Sequence, residues 1–78
     1  MIKASSAQFI KRMPELKNPR YLRIFEDARE AHIALVVAGQ PTDKVPLFSR
    51  YATYQTVYRK GWASVTEFDI RLARLGVA

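Results

Sequence analysis

The stretch that decides the fold is NPRYLRIFEDAREAHIALVVAG, residues 18–39. Asn18 can cap a helix, Pro19 suits the first helical position, and Gly39 supplies a stop signal. Between these signals, apolar side chains recur every three or four residues, as on the buried stripe of an α-helix. The stripe consists of Tyr21, Ile24, Phe25, Ala28, Ala31, Leu35 and Ala38. The pattern predicts one long central helix.

Shorter helical patterns lie on both sides of this segment. AQFIKRM, residues 7–13, predicts a short helix that Pro14 ends. After the connector GQPTDKVP, residues 39–46, a third helix is predicted, which Gly61 should weaken or end. Ser64 and Glu67 have capping-box spacing before a last helix that stops at Gly76. The third helix has the stripe Leu47, Tyr51, Tyr54, Tyr58 and Trp62, and the fourth has Val65, Phe68, Leu72 and Leu75.

These elements predict an all-α protein, a small bundle of about four helices with residues 1–78 as one domain. Two longer central helices are joined by the proline-containing connector. A chain of 78 residues buries only about 60% of its unfolded surface, so a binding partner is expected to help stabilise it.

Basic residues dominate the charge. Thirteen Lys and Arg stand against seven Asp and Glu, which gives a formal net charge of +6 and favours anionic partners. Residues 1–23 hold six of the basic residues against Glu15 alone, and residues 50–62 hold three with no acidic residue. These two basic blocks are either the solvated faces of ordinary helices or parts of a surface that binds an anion.

Composition also excludes several classes of function. The chain has no cysteine, so it has neither disulfides nor thiolate metal sites, which fits a reducing compartment. There is no signal-peptide core and no apolar run of roughly 18 residues, so we expect a cytoplasmic protein that does not enter the membrane. With His32 as the one histidine and only scattered carboxylates, we expect no enzyme activity, cofactor or metal. His32 is expected to be a packing residue.

The segment VYRKGW, residues 57–62, places two aromatic rings around two cations. Such rings could stack on bases while the cations neutralise phosphates, as on RNA-binding surfaces. The same tyrosine spacing also fits core residues with a buried ring and a solvated hydroxyl. The candidate nucleic-acid-binding residues are Arg50, Tyr58, Arg59, Lys60 and Trp62, with Lys11, Arg12, Lys17 and Arg20 from the N-terminal block.

Residues 30–65 contain a further spacing pattern. HIALVVAG ends in Ala38-Gly39, Pro46 follows seven residues later, and YRKGW ends in a Gly-Trp pair. In these positions the chain resembles the ribosome modulation factor family, small basic bacterial proteins that bind ribosomes and promote their inactive, dimerised state. It departs from the family pattern at His32 and Val36, which replace glycines, and at Tyr58, which replaces a tryptophan.

The resemblance implies contact with ribosomal RNA. The residues it assigns to that contact are Arg50, Tyr58, Arg59, Lys60 and Trp62, with the N-terminal block adding phosphate contacts.

Three functional hypotheses follow. The first is a protein that binds RNA or the ribosome by occupying a surface. The second is a small inhibitor or adaptor, encoded by a phage or mobile element, that binds an acidic face of a host protein. The third is a homodimer with the apolar run IALVV, residues 33–37, at its seam.

Overall fold

The computed structural model describes residues 4–76, with side chains from residue 7 onwards. Its helices are α1 (Ala4–Arg12), α2 (Pro19–Val37), α3 (Ala52–Ala63) and α4 (Glu67–Arg74), and a short 3-10 turn spans Pro14–Lys17. No strand is present within these residues. The predicted all-α class with four helices is therefore confirmed, and the assignment of residues 1–78 to one domain stays a prediction.

The bounds of α2 follow from the signals in its sequence. The Asn18 side chain accepts a hydrogen bond from the Arg20 backbone N–H at 2.9 Å, and Pro19 is the first helical residue. At the other end, Gly39 has a φ of 74°, which glycine adopts readily. The backbone N–H groups of Gly39 and Gln40 donate to carbonyls in the last turn, which is the Schellman arrangement. Local chemistry therefore fixes both ends of the central helix.

The core lies between α2 and α3. Phe25 and Ala28 of α2 are fully buried against the inner face of α3. The Phe9 ring of α1 covers Phe25, with the two ring centroids 5.0 Å apart. Three core residues lie outside the predicted stripes: Leu16, which the 3-10 turn brings inward, Leu22 and Val57. The buried hydrophobic residues are Leu16, Leu22, Ile24, Phe25, Ala28, Val57, Tyr58 and Trp62.

Gly61 lies where α2 and α3 approach most closely. A Cβ atom at this position would overlap the Phe25 carbonyl oxygen and lie 3.0 Å from the Ala28 Cβ. The expectation that Gly61 weakens or ends α3 was wrong, because the helix continues through it to Ala63. The loss of helix propensity is offset by the close packing that only a residue without a side chain allows.

Helices α2 and α3 run in the same general direction. Tyr21 and Tyr54 near their starts lie edge to face at 6.2 Å, and Arg29 further along α2 bonds Ser64 just after α3. The connector between the helices therefore has to return along the length of α2. Phe48 holds it to α3, with its ring stacked on Tyr58 at 4.8 Å.

Two details at the helix ends differ from the sequence prediction. The aromatic stripe was expected to begin at Leu47, but α3 begins at Ala52, so Leu47 and Tyr51 precede the helix and are exposed. The capping box of α4 is Thr66 with Asp69, not Ser64 with Glu67. Ser64 instead donates its hydroxyl to the Gly61 carbonyl at 2.7 Å and so closes the end of α3. Phe68 and Leu75, expected on the buried face of α4, are also exposed.

Arg29 joins α1, α2, α3 and α4 through one side chain. Its guanidinium lies 3.1 Å from the Asp69 carboxylate and donates to the Ser64 backbone carbonyl and hydroxyl. On its other side, its central carbon lies 4.7 Å from the centre of the Phe9 ring. Because an arginine presents five donors in a fixed plane, one side chain can satisfy all these contacts together.

Replacing Gly61 with alanine tests the close approach of the helices. In an exposed helix this change would stabilise the protein by about 1 kcal/mol. Here we expect a destabilisation of about 1–3 kcal/mol, because the new methyl group meets the Phe25 backbone, which cannot rotate away. Urea unfolding monitored by circular dichroism measures the change. A stabilised variant would show that the helices separate easily at this point.

Replacing Asp69 with asparagine tests the Arg29 contacts. Desolvation, the largest single effect, acts to raise the pKa of Asp69, but hydrogen bonds from Thr66 and the nearby Arg29 together lower it below its ordinary value of 3.8. A lowered folded-state pKa contributes stability above the unfolded pKa that is lost as the pH falls through the folded one. For a partly exposed pair screened by solvent, we expect Asp69→Asn to lose on the order of 1 kcal/mol at pH 7.

The difference between wild type and Asp69→Asn should narrow as the pH falls through the lowered folded-state pKa of Asp69, in urea unfolding repeated across pH. Asp27→Asn is the matched control, since Asp27 pairs with Arg23 at 3.7 Å on an exposed helix surface. It should change stability by only a few tenths of a kcal/mol. Equal effects of the two variants would contradict the special role of Arg29.

Candidate functional site

The rings of Tyr58 and Trp62 lie in the core. They are only 6% and 5% exposed, and burial, with a smaller effect from Asp27, raises the pKa of the Tyr58 hydroxyl. His32 stacks on the Trp62 ring at 4.3 Å, and its Nδ1 lies 2.7 Å from the Trp62 carbonyl oxygen. His32 is thus a packing residue, as expected. In this fold neither ring can serve as a platform for a base, so base stacking by VYRKGW is not supported.

The two cations between these rings lie on the opposite side of α3. Arg59 and Lys60 are exposed, and the Lys60 ammonium lies 3.0 Å from a Glu15 carboxylate oxygen in the 3-10 turn. Backbone hydrogen bonding and the Lys60 contact lower the pKa of Glu15. This ion pair places the second basic block of the sequence against the first.

We call six exposed cations of the two blocks, taken together, the basic surface. Its members are Lys11, Arg12, Lys17, Arg20, Arg59 and Lys60.

Arg20 marks one edge of the basic surface. Its guanidinium donates to the Tyr54 hydroxyl at 3.0 Å, which ties the start of α2 to α3. Arg50, the remaining predicted contact residue, is exposed before α3 begins. The contact between Glu15 and Lys60 therefore brings the two blocks together at this point, and Arg50 lies beside a different feature.

That feature is the connector loop, residues 46–51. The Gln55 side chain fixes it by accepting hydrogen bonds from the backbone N–H groups of Phe48 and Ser49 and donating to the Pro46 carbonyl. On the outside of the loop, Leu47 and Tyr51 are each 74% exposed. The sequence prediction missed this loop because both residues fit the periodicity of the third helix. Pro46 restricts only Val45, the residue before it, and gives no signal against a helix from Leu47 onwards.

These features are groups of exposed side chains on the described part of the chain. Among residues 4–76, the structure groups no three histidine, aspartate or glutamate side chains in a way that could hold a metal ion. None of the helices in this part of the chain is long and apolar enough to cross a membrane. The exposed cations and the loop present charge and apolar area to a partner.

The structure is that of a small all-helical protein with exposed cations and an exposed apolar loop. The family model described as Phage Mu gene product 18 matches residues 13–76, which is most of the chain. The chain belongs to this phage protein family. No curated protein and no solved structure matches it.

The resemblance to the ribosome modulation factor family was wrong, because the matching family is that of Phage Mu gene product 18. The positions that match the ribosome modulation factor pattern have structural roles that also occur in unrelated helical proteins. Ala38 and Gly39 close α2, while Gly61 and Trp62 pack α3 against it. A helix stop and a close helix contact therefore produced the similar spacing.

Truncation of aromatic residues tests the placement of Trp62. We expect Trp62→Ala to lose about 3–5 kcal/mol of stability, because it empties a large volume in the core. Tyr51→Ala, at an exposed ring in the same sequence stripe, should change stability by only about 0.5 kcal/mol. Thermal and urea unfolding give both values. A well-folded Trp62→Ala chain would contradict the core assignment.

Proposed function

We propose that this protein is a phage- or mobile-element-encoded binding protein, without enzyme activity, that docks on an acidic face of a host protein in the cytoplasm. Its action is that of a small inhibitor or adaptor, which occupies a surface. Membership of the Phage Mu gene product 18 family supports the phage setting. The observation that carries the proposal is the contact between Glu15 and Lys60, which brings residues of the two basic blocks together.

The charge of the basic surface remains available to a partner. Within the described part of the chain, Lys11, Arg12, Lys17 and Arg59 are exposed and make no ion pair. An array of exposed cations accelerates association with a partner of opposite charge and excludes basic proteins. The internal pair with Glu15 neutralises only Lys60.

A protein partner fits the surface better than a nucleic acid. Single-stranded RNA is bound by cations combined with exposed aromatic faces, and here the rings of Tyr58 and Trp62 are buried. The exposed large apolar side chains are Val37, Leu47, Phe48, Phe68 and Leu75, with Tyr51 as an exposed ring outside the VYRKGW segment. An aliphatic side chain next to cations is typical of protein interfaces, where apolar anchors are surrounded by polar contacts.

Charge reversal tests the proposal. Lys17→Glu with Arg59→Glu should abolish capture of the partner from a bacterial lysate, because both cations belong to the basic surface. Lys60 is left intact because it holds Glu15. The control is Arg71→Glu with Arg74→Glu, which makes the same charge change on α4 and should retain the partner. Circular dichroism checks that both variants keep their helicity.

Treating the lysate with nuclease completes the test. A single stoichiometric protein that remains after nuclease, and that only the Lys17 and Arg59 variant loses, supports the proposal. Equal loss from both variants would mean that net charge alone causes capture. Material that disappears with nuclease would assign the surface to nucleic acid and overturn the proposal.

A further inference from the structure

The connector loop, residues 46–51, has the arrangement of a preformed recognition element. Gln55 bonds three backbone groups of the loop at 2.8–3.1 Å, and Ser49 accepts a further hydrogen bond from the Tyr51 backbone N–H. The Phe48 ring stacks on the buried Tyr58 ring with only 12° between their planes. The backbone of this loop is therefore fixed from both sides.

This fixed backbone holds apolar side chains outward. Leu47 and Tyr51 are the most exposed large hydrophobic residues on the described surface. Leu75 and Phe68 follow them. Large apolar groups that lie together and face water mark interaction sites, whereas single ones need no explanation. The loop has two such groups four positions apart, with the partly exposed Phe48 between them.

The charged residue within the loop is a cation. Arg50 lies between the two anchors in sequence and is exposed without an ion pair in the described chain. Tyr51 contacts Tyr54 edge to face at 5.7 Å, and the Tyr54 hydroxyl accepts a hydrogen bond from Arg20. The loop is thus continuous, through Tyr54, with the basic surface. A complementary partner would surround an apolar contact with carboxylates.

The length of the apolar row also limits its partner. Leu47 and Tyr51 are four positions apart in sequence, so their Cα atoms are at most about 14 Å apart. The apolar stripe of a helix covers about 10 Å between positions i and i+7. Three turns of an amphipathic helix, about 16 Å in length, can therefore cover both anchors.

We infer that the connector loop docks an acidic amphipathic helix of the partner protein. Leu47 and Tyr51 are the apolar anchors, Arg50 and Arg20 pair with the flanking carboxylates, and Gln55 positions the loop before binding. Because the loop is already ordered, little conformational entropy is lost on association. The inference rests on the proposed function in assuming a protein partner.

A defined peptide tests the inference with the full chain. The probe is a synthetic 20-residue helix with leucine at three- and four-residue spacing and glutamate at most other positions. Titration into the ¹⁵N-labelled protein should shift the amide signals of Leu47, Phe48 and Tyr51. We expect Leu47→Ser and Tyr51→Ser each to weaken binding about tenfold or more. Phe68→Ser, at a similarly exposed site on α4, is the matched control and should leave affinity unchanged.

The positioning role of Gln55 has its own measurement. In Gln55→Ala, the Phe48 and Ser49 amide hydrogens should exchange faster because they lose their acceptor, while core amides remain protected. Peptide affinity should fall several-fold. Gln55→Glu keeps an acceptor for both amides and should recover part of the affinity, which a general loss of stability would not explain.

The remaining outcomes separate this inference from the proposed function. If Lys17→Glu with Arg59→Glu abolishes partner capture while Leu47→Ser and Tyr51→Ser do not alter peptide binding, the loop assignment fails and the proposed function stands. Absence of peptide binding at millimolar concentration would overturn the inference. So would an oligoribonucleotide shifting the loop amides in place of the peptide, or a dimer in sedimentation equilibrium that Leu47→Ser dissociates.

Discussion

The structure depends on the absence of a side chain at Gly61. At this point α3 approaches α2 until only backbone and the Ala28 methyl group separate them. This approach directs Tyr58 and Trp62, on the same face of α3 as Gly61, into the interior. Arg59 and Lys60 then have to face outward, because helical geometry turns positions i+1 and i+2 away from that face. This packing constraint therefore places the two rings in the core and the two cations on the surface.

The remainder of the molecule attaches to this helix pair by a few directional contacts. Arg29 joins α1 and α4 to it through Phe9 and Asp69, and the ion pair between Glu15 and Lys60 holds the 3-10 turn. The partly buried Arg29 contact contributes to stability, whereas the exposed Glu15 pair mainly determines where neighbouring charges lie. The basic surface is consequently a product of tertiary structure, assembled from residues more than forty positions apart in sequence.

Periodicity and local end signals were sufficient to predict the helices but not their surroundings. Asn18, Pro19 and Gly39 act within a few residues of their own positions, so the bounds of α2 could be predicted. The role of Gly61 could not, because helix propensity describes an isolated helix, whereas this glycine responds to the Phe25 backbone. The cations were predicted as candidates from composition. That residues of the two basic blocks come together is visible only from the contact between Glu15 and Lys60 in the structure. The loop was missed because Leu47 and Tyr51 keep helical spacing outside a helix.

The clamp formed by Gln55 separates the tip of the loop from the folded interior. Its hydrogen bonds go to backbone atoms of residues 46–49, so they do not depend on which side chains occupy positions 47, 50 and 51. Substitutions at these three positions would alter recognition while leaving the scaffold almost as stable as before. With this arrangement, the side chains at these positions can change during evolution as the binding partner changes. The protein then keeps its folding stability while its specificity changes.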